Sequence, residues 1–464
     1  MKAVLRGLKK VVLWSLAAVF VLVAAVFAIN SRDERVSPQT VRVLTAPPNP
    51  YRPSDNLYFM LAGFDAPAGR SVIEAGQAAV RAYEAKLPKG PNAFLPSVDK
   101  LATGTLVFKG NVACCRRLTG AIWRDVAGHK TEINRLLAAN RELDQRYRAL
   151  RRATGYYETG TPSVASALFF PPRQLRYLFL ADFVLRMQSG NRAEQSAALE
   201  DMKDDLRVWR TMLTGYGSLI SKMVAVTYLR QDFLLIGNMI AVPTVVLSVR
   251  RAAMGRLVMP FPIRDWRLGS GFSYENRMMT RELVNSYGAA GQKEANGPLW
   301  KKVENNLSET LPLFKIHATE NLQASNTLKL IAIMDGPPRL LEKPMSTYAD
   351  EANCLATPRV SCLYNPVGKI LTAIAIPAYE DYPLRAYDVA ALQRMVKLAY
   401  EIRIQQVETA KIPRFMKQHP EWSTHPVDGK EFTFNPTTGR LSMERLGNQS
   451  KTRYFAIPVR KRGP

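Results

Sequence analysis

The first pattern along the chain is an unbroken one. Val11–Ile29, VVLWSLAAVFVLVAAVFAI, holds no charged residue. At about 1.5 Å of rise per residue it reaches roughly 28 Å, close to the hydrocarbon thickness of a bilayer, and predicts a transmembrane helix. Downstream the apolar positions recur three or four apart, the spacing of one buried helix face. Short helices are expected over Asn56–Gly63, with Ser54 or Asp55 as N-cap, and over Ser71–Leu87. Leu118–Arg152 reads as one long helix with Ile133, Leu136, Asn140, Leu143, Tyr147 and Leu150 on its inner face. Leu175–Gln188 follows and stops at Gly190-Asn191.

Arg192–Arg230 carries the clearest helical signal. Leu206, Trp209, Leu213, Tyr216, Ile220, Met223 and Thr227 form a coiled-coil-like seam, with Gly215 and Gly217 marking a kink or a close crossing. Phe233–Val249 is the second most apolar run. Asn238 and Pro243 interrupt it, so it reads as a buried core helix, with a membrane-contacting helix as the alternative. Tyr274–Tyr287, Pro298–Leu311, Leu313–Met334 and Leu384–Glu408 complete the predicted helices. From Phe415 the pattern changes. Glu431-Phe432-Thr433-Phe434 alternates as a strand does, and the turn signals Asp428-Gly429-Lys430 and Thr438-Gly439 frame a small antiparallel β unit. The fold class is therefore mostly α: an N-terminal transmembrane helix, a large helical exported domain and a small C-terminal β-containing unit.

This divides the chain into a cytoplasmic tip and anchor (1–30), a Pro-rich stalk (31–53), a helical domain (54–338) and a C-terminal helix plus β unit (339–464). Prolines at 38, 47, 48, 50 and 53 favour extended backbone in the stalk. Arg339–Pro377 reads as irregular and marks the best boundary.

Charge orients the anchor. Lys2, Arg6, Lys9 and Lys10 precede the apolar run without an acid, whereas Asn30–Arg35 mixes Arg32 and Arg35 with Asp33 and Glu34. Positive flanks resist translocation, so the N-terminus stays cytoplasmic and the rest is exported. A cleaved signal peptide is the competing reading, with Val26-Phe27-Ala28 as its cleavage region, but the apolar core is longer than such signals carry. Net charge is +25, of which +21 lies beyond residue 30. Such a surplus suits an anionic lipid, a wall polymer or an acidic envelope protein, and export argues against nucleic acid. Arg146, Arg148, Arg151 and Arg152 form the densest basic cluster, with the tail Arg460-Lys461-Arg462.

The candidate chemistry is sparse. Four cysteines exist, Cys114, Cys115, Cys354 and Cys362, and an oxidising compartment would pair them. Cys354–Cys362 closes a short loop and is the favoured disulfide; a crosslink from the Cys114-Cys115 region is the alternative. Zinc spacing is lacking, and no metal or other cofactor is expected. His419-Pro420-Glu421-Trp422-Ser423-Thr424-His425 gathers two imidazoles and a carboxylate, which could act as acid and base or bind a divalent ion, although Pro420 and Pro426 suggest an extended loop. G-x-S-x-G is absent, and Ser218 after Gly215-Tyr216-Gly217 reads as a packing residue. Asp204-Asp205 reads as part of a solvated face.

Asn56-Leu57-Tyr58-Phe59-Met60-Leu61-Ala62-Gly63-Phe64-Asp65-Ala66-Pro67 with Gly76 resembles the opening of a group of uncharacterised, membrane-anchored bacterial exported proteins. Ile412-Pro413-Arg414-Phe415 through His425-Pro426-Val427-Asp428-Gly429-Lys430 and Asn435-Pro436 resembles that group's C-terminal end. The resemblance implies a location and no activity. The expected protein is a single-pass bacterial inner-membrane protein with its C-terminal domain in the periplasm, a non-enzymatic envelope protein that binds another component. The alternative is a hydrolase acting on wall or lipid material.

Overall fold

A computed structural model of the chain describes residues 2–86, 106–112, 122–159, 170–242, 251–288, 313–343, 360–375, 379, 381–447 and 453–459. The fold is mostly helical, with a three-stranded open sheet near the C-terminus and an N-terminal apolar helix long enough to cross a membrane. That helix, α1 (Lys2–Ile29), is exposed over most of its apolar length among the described residues: Trp14 and Phe20 are 74% and 73% exposed. Large exposed apolar surfaces of this kind mark contact with another apolar phase.

Residues Pro38–Leu44 form a helix, α2, where extended stalk was expected. Ser37 caps it by accepting from the Thr40 amide, and Pro38 at its first turn lacks only an N–H that would go unbonded there. After it come α3 (Leu57–Ala62) and α4 (Val72–Lys86), with Asn56 as the N-cap of α3 rather than Ser54 or Asp55. Gly63 and Gly76 let the two backbones touch; a Cβ on either would collide with the carbonyl of Val72 or Phe59.

The long helix expected over Leu118–Arg152 is three pieces: α5 (Ile122–Gly128), α6 (Lys130–Ala139) and α7 (Arg141–Ala149). Asn140 breaks it. Its side chain accepts from the Lys109 amide at 2.8 Å and donates to the Lys109 carbonyl at 2.9 Å, a distant partner that outcompetes helix continuation. The seam of Arg192–Arg230 is likewise two helices that pack on each other, α9 (Arg192–Thr214) and α10 (Leu219–Ile240), after α8 (Phe170–Gln188). The chain turns at Gly215-Tyr216-Gly217, where the Tyr216 amide donates to Tyr156 O and its carbonyl accepts from the Glu158 amide.

Helix α10 sits at the centre. Phe233, Leu235, Ile236, Met239 and Ile240 are wholly buried, each contributing about 1.5–3 kcal/mol of transfer free energy. The core reading of that stretch holds through Ile240; residues 243–250 lie outside the described residues. Next come α11 (Arg251–Leu257), α12 (Gly269–Gly288), α13 (Ile316–Met334), α14 (Pro366–Ala375) and α15 (Asp381–Ile404). Helix α14 lies within the stretch read as irregular, and the expected helix Pro298–Leu311 lies outside the described residues. Two short helices, α16 (Ile412–Gln418) and α17 (Pro420–Ser423), replace the extended loop expected around His419. Strands β1 (Thr433–Asn435), β2 (Arg440–Glu444) and β3 (Tyr454–Pro458) are antiparallel, pairing Phe434 with Leu441 and Leu441 with Ile457. Leu441, Met443, Phe455 and Ile457 turn their buried face to α10 and α15. One cluster of buried side chains includes residues from Leu57 to Val459.

The expected disulfide is corrected: no Sγ–Sγ pair stands at bonding distance among the described residues. Cys114, Cys115 and Cys354 lie outside those residues, so the favoured Cys354–Cys362 loop does too, and Cys362 is the one cysteine described.

Charge, too, is placed differently from the expectation. Asp205 is not on a solvated face. It is buried and accepts from Arg176 Nη1 at 2.6 Å, Tyr147 Oη at 2.7 Å and Trp209 Nε1 at 3.1 Å. Arg176, itself buried, also donates to Asp232 Oδ1 and the Tyr228 carbonyl, each at 2.6 Å, and to Gln231 Oε1 at 2.9 Å. One cation faces two carboxylates. Burial therefore pushes the Asp232 carboxyl well above its ordinary range against the pull of Arg176, and the Asp205 charge adds to the rise. Removing Arg176 alone leaves two buried carboxylates without a cation. Arg176→Met should lose about 3–5 kcal/mol in urea unfolding, and adding Asp205→Asn with Asp232→Leu should recover most of it. A single variant as stable as wild type would show that the trio does not carry the packing of α8 on α9 and α10.

Candidate functional site

The segment that leaves α1 is fixed side chain by side chain to the helices beyond it. Asn30, fully buried, donates to the Leu363 carbonyl at 2.6 Å and accepts from the Asn365 amide at 2.8 Å. Asp33 accepts from the amides of His317 and Ala318 at 3.0 and 3.1 Å. Those are unpaired donors of the first turn of α13, and Lys315 at the cap position supplies no side-chain bond. A carboxylate from 284 residues away thus satisfies the helix end and its partial positive charge. Asn321, one turn along, makes four bonds to the same segment. Its Nδ2 donates to Glu34 Oε2 and the Arg35 carbonyl, and its Oδ1 accepts from the Ser37 amide and the Thr40 hydroxyl, all at 2.7–2.9 Å. Asn365 closes the ring from the other side, accepting from the Lys315 amide and donating to Thr319 Oγ1, both at 2.9 Å. It does so at φ 51°, a left-handed conformation that asparagine tolerates better than most residues. Sequence reasoning missed this collar; its local signals were the Ser37-Pro38 start of a helix and the two acids following an apolar run.

The expected histidine cluster is only partly assembled. His419 Nδ1 lies 3.2 Å from Glu421 Oε1, and the ring stacks on Trp422 with centroids 4.6 Å apart and packs against Phe415. This pair is partly exposed. His425 is not part of that contact. It is buried, its Nδ1 accepts from the Val427 amide at 3.2 Å, and its Nε2 lies 3.4 Å from Asp388 Oδ1. Asp388 in turn accepts from the amides of Leu446 and Gly447 at 2.8 and 3.2 Å, pinning the β unit to α15. His425 thus spends Nδ1 on a backbone amide and turns Nε2 towards Asp388, away from His419 and Glu421. No group of three His, Cys, Asp or Glu placed to hold a metal occurs among the described residues.

A second polar cluster surrounds the turn into α10. Ser218 is the N-cap of that helix, accepting from the Ser221 amide, rather than a packing residue within one. Glu158 Oε2 accepts from the Ser218 amide, from the hydroxyls of Ser218 and Ser221, and from Tyr156 Oη, at 2.9–3.2 Å. Glu275 Oε1 accepts from the Leu219 amide at 3.0 Å. Lys222 points the other way and donates to the carbonyls of Leu213 and Gly215, 2.7 Å each, closing the end of α9. A serine nucleophile needs a neighbouring base with a free lone pair; here the lysine is spent on carbonyls and the hydroxyls on a carboxylate. The arrangement is a clamp between two helix ends.

The basic cluster is also largely neutralised within the fold. Arg148 pairs with Asp144, Asp182 and Asp201 at 2.6–2.8 Å, and Arg186 pairs with Asp182 and Asp201. The tail at 460–464 lies outside the described residues. The chain matches no family model, no curated protein and no solved structure.

Burial holds the Glu275 carboxyl at about 7, from an ordinary 4.5, and holds the Lys222 ammonium down at about 8. The folded chain therefore keeps a proton on Glu275 that the unfolded chain has released between those values. Stability from this group is greatest below pH 4.5 and falls as pH rises through 7. Urea titrations across this window should show wild type losing up to about 3 kcal/mol relative to Glu275→Gln. Parallel pH profiles would mean that the carboxyl titrates normally.

Proposed function

We propose that this is a single-pass membrane protein whose helical domain stands on the exported face of a bacterial inner membrane and binds another envelope component. The observation that carries the reading is the collar. Asn30, Asp33, Asn321 and Asn365 join the end of the apolar helix to α13 and α14, so the domain is displayed at a set orientation rather than on a loose tether. The one-sided basic flank of α1 supports the orientation, and the +21 surplus favours an anionic partner. The resemblance of the opening and closing stretches to membrane-anchored exported proteins agrees with this location.

A C-terminal reporter that is active only outside the cytoplasm, together with a reproducible partner captured from solubilised membranes, is the expected result. A cytoplasmic reporter overturns the orientation, and repeated empty captures overturn the binding role. Asn321→Ala removes four bonds from the collar. It should open residues 31–45 to limited proteolysis, cost about 1–3 kcal/mol in stability and reduce capture of the partner. Undiminished capture by a chain so loosened would show that the rigid joint serves no binding purpose.

A further inference from the structure

A cavity of about 30 Å3 lies among α12, α13 and α14, walled by Phe272, Asn276, Met279, Asn326, Leu330 and Tyr379. Its two asparagines set it apart from ordinary packing. They are 6% and 5% exposed, and the Nδ2 of each has no hydrogen-bond partner among the described residues. Buried amides of this kind nearly always have a partner, because a desolvated donor left alone is costly. Two on the wall of one cavity point to something that accepts from both.

Three of the neighbouring polar groups are already engaged. Gln323 Oε1 accepts from the Thr280 hydroxyl at 2.8 Å, the Thr372 hydroxyl donates to the Gly368 carbonyl at 2.8 Å, and Tyr379 Oη donates to Met279 Sδ at 2.9 Å. What the cavity offers is therefore a pair of donors. Among the described residues no lysine or arginine lines it, so an anion would meet no counter-charge there. The remaining wall is apolar: Phe272 meets Tyr379 edge-on at 5.0 Å, beside Met279 and Leu330. The space equals about two waters, enough for the end of a molecule rather than the whole of one.

We propose that this cavity seats the carbonyl end of a neutral acyl compound, an ester or amide carbonyl on a hydrocarbon chain. The oxygen accepts from Asn276 and Asn326, and the first carbons lie against Phe272, Met279 and Leu330. A membrane lipid ester and a water-soluble acyl ester or amide share this chemistry. The inference is independent of the side of the membrane on which the domain stands.

The full-length chain, held in an alkyl maltoside detergent that carries no carbonyl, is titrated with methyl decanoate and, separately, with decane, following the thermal midpoint. The ester should raise the midpoint and the alkane should not. Asn276→Leu with Asn326→Leu removes both donors at similar volume, so its unliganded midpoint should hold or rise while its affinity for the ester falls roughly ten-fold. Leu330→Phe, which fills the space and leaves the amides intact, should abolish the response and serves where the leucine pair does not fold. Equal responses to ester and alkane, or to the ester in wild type and variants, overturn the proposal. Organic extraction of the purified chain separates the sources: an acyl lipid or a soluble acyl compound, present on wild type and depleted on the variants, supports it. Extracts identical for wild type and variants, with ordered water alone between the two asparagines in a high-resolution crystal structure, overturn it.

Discussion

Everything in the helical bundle has to accommodate one buried guanidinium. Arg176 reaches from α8 to carboxylates on α9 and α10 and meets the tyrosine that α7 supplies, with the rings of Tyr228 and Trp209 at 4.5 and 5.6 Å. A charge withdrawn from water on this scale is tolerated only when its donors are satisfied and its partners stay where they are. Hydrophobic contact alone would let these helices slide by a turn at small cost. The ion cluster does not, because a one-turn shift would strand a carboxylate in the core. The register of four helices is thereby set by polar chemistry, while most of the free energy comes from the apolar residues around it.

The same division of labour recurs outward. Glu158 and Glu275 close the start of α10 and Lys222 closes the end of α9, so the turn between them is held by side chains and not by its own backbone. Asp388 ties the sheet to α15. In each case a buried ionisable side chain is directed at backbone amides or carbonyls left open where a helix or strand stops.

That habit explains what could be read along the chain. Periodicity found the bodies of α9, α10, α12, α13 and α15, because each buries a stripe whose spacing is local information. Gly190-Asn191 marked a real end for the same reason: Asn191 caps α9 through its own neighbours. The break at Asn140 was invisible because its cause is Lys109. Asp205 passed for a surface acid because Arg176 lies 29 residues away. Strand β3 lay outside the sequence reading because its alternation is short and its meaning comes from pairing with β2. His419 and Glu421 meet, being two residues apart, whereas His425 went to a partner on another helix. Of the collar, only the Ser37 cap was local; the rest depends on α13 and α14.

The collar has a mechanical consequence. A joint in which Asn30 bonds the residues leading into α14, Asp33 bonds the first turn of α13 and Asn321 of α13 bonds back to residues 34–40 has little freedom to swivel, so α1 and α13 act as the arms of a single lever. In a bilayer thinner than its apolar length a helix tilts, and tilt at this end would swing the domain and re-aim whichever face it presents. The thickness of the surrounding lipid would thereby set the angle at which the domain stands, without any change inside the domain itself.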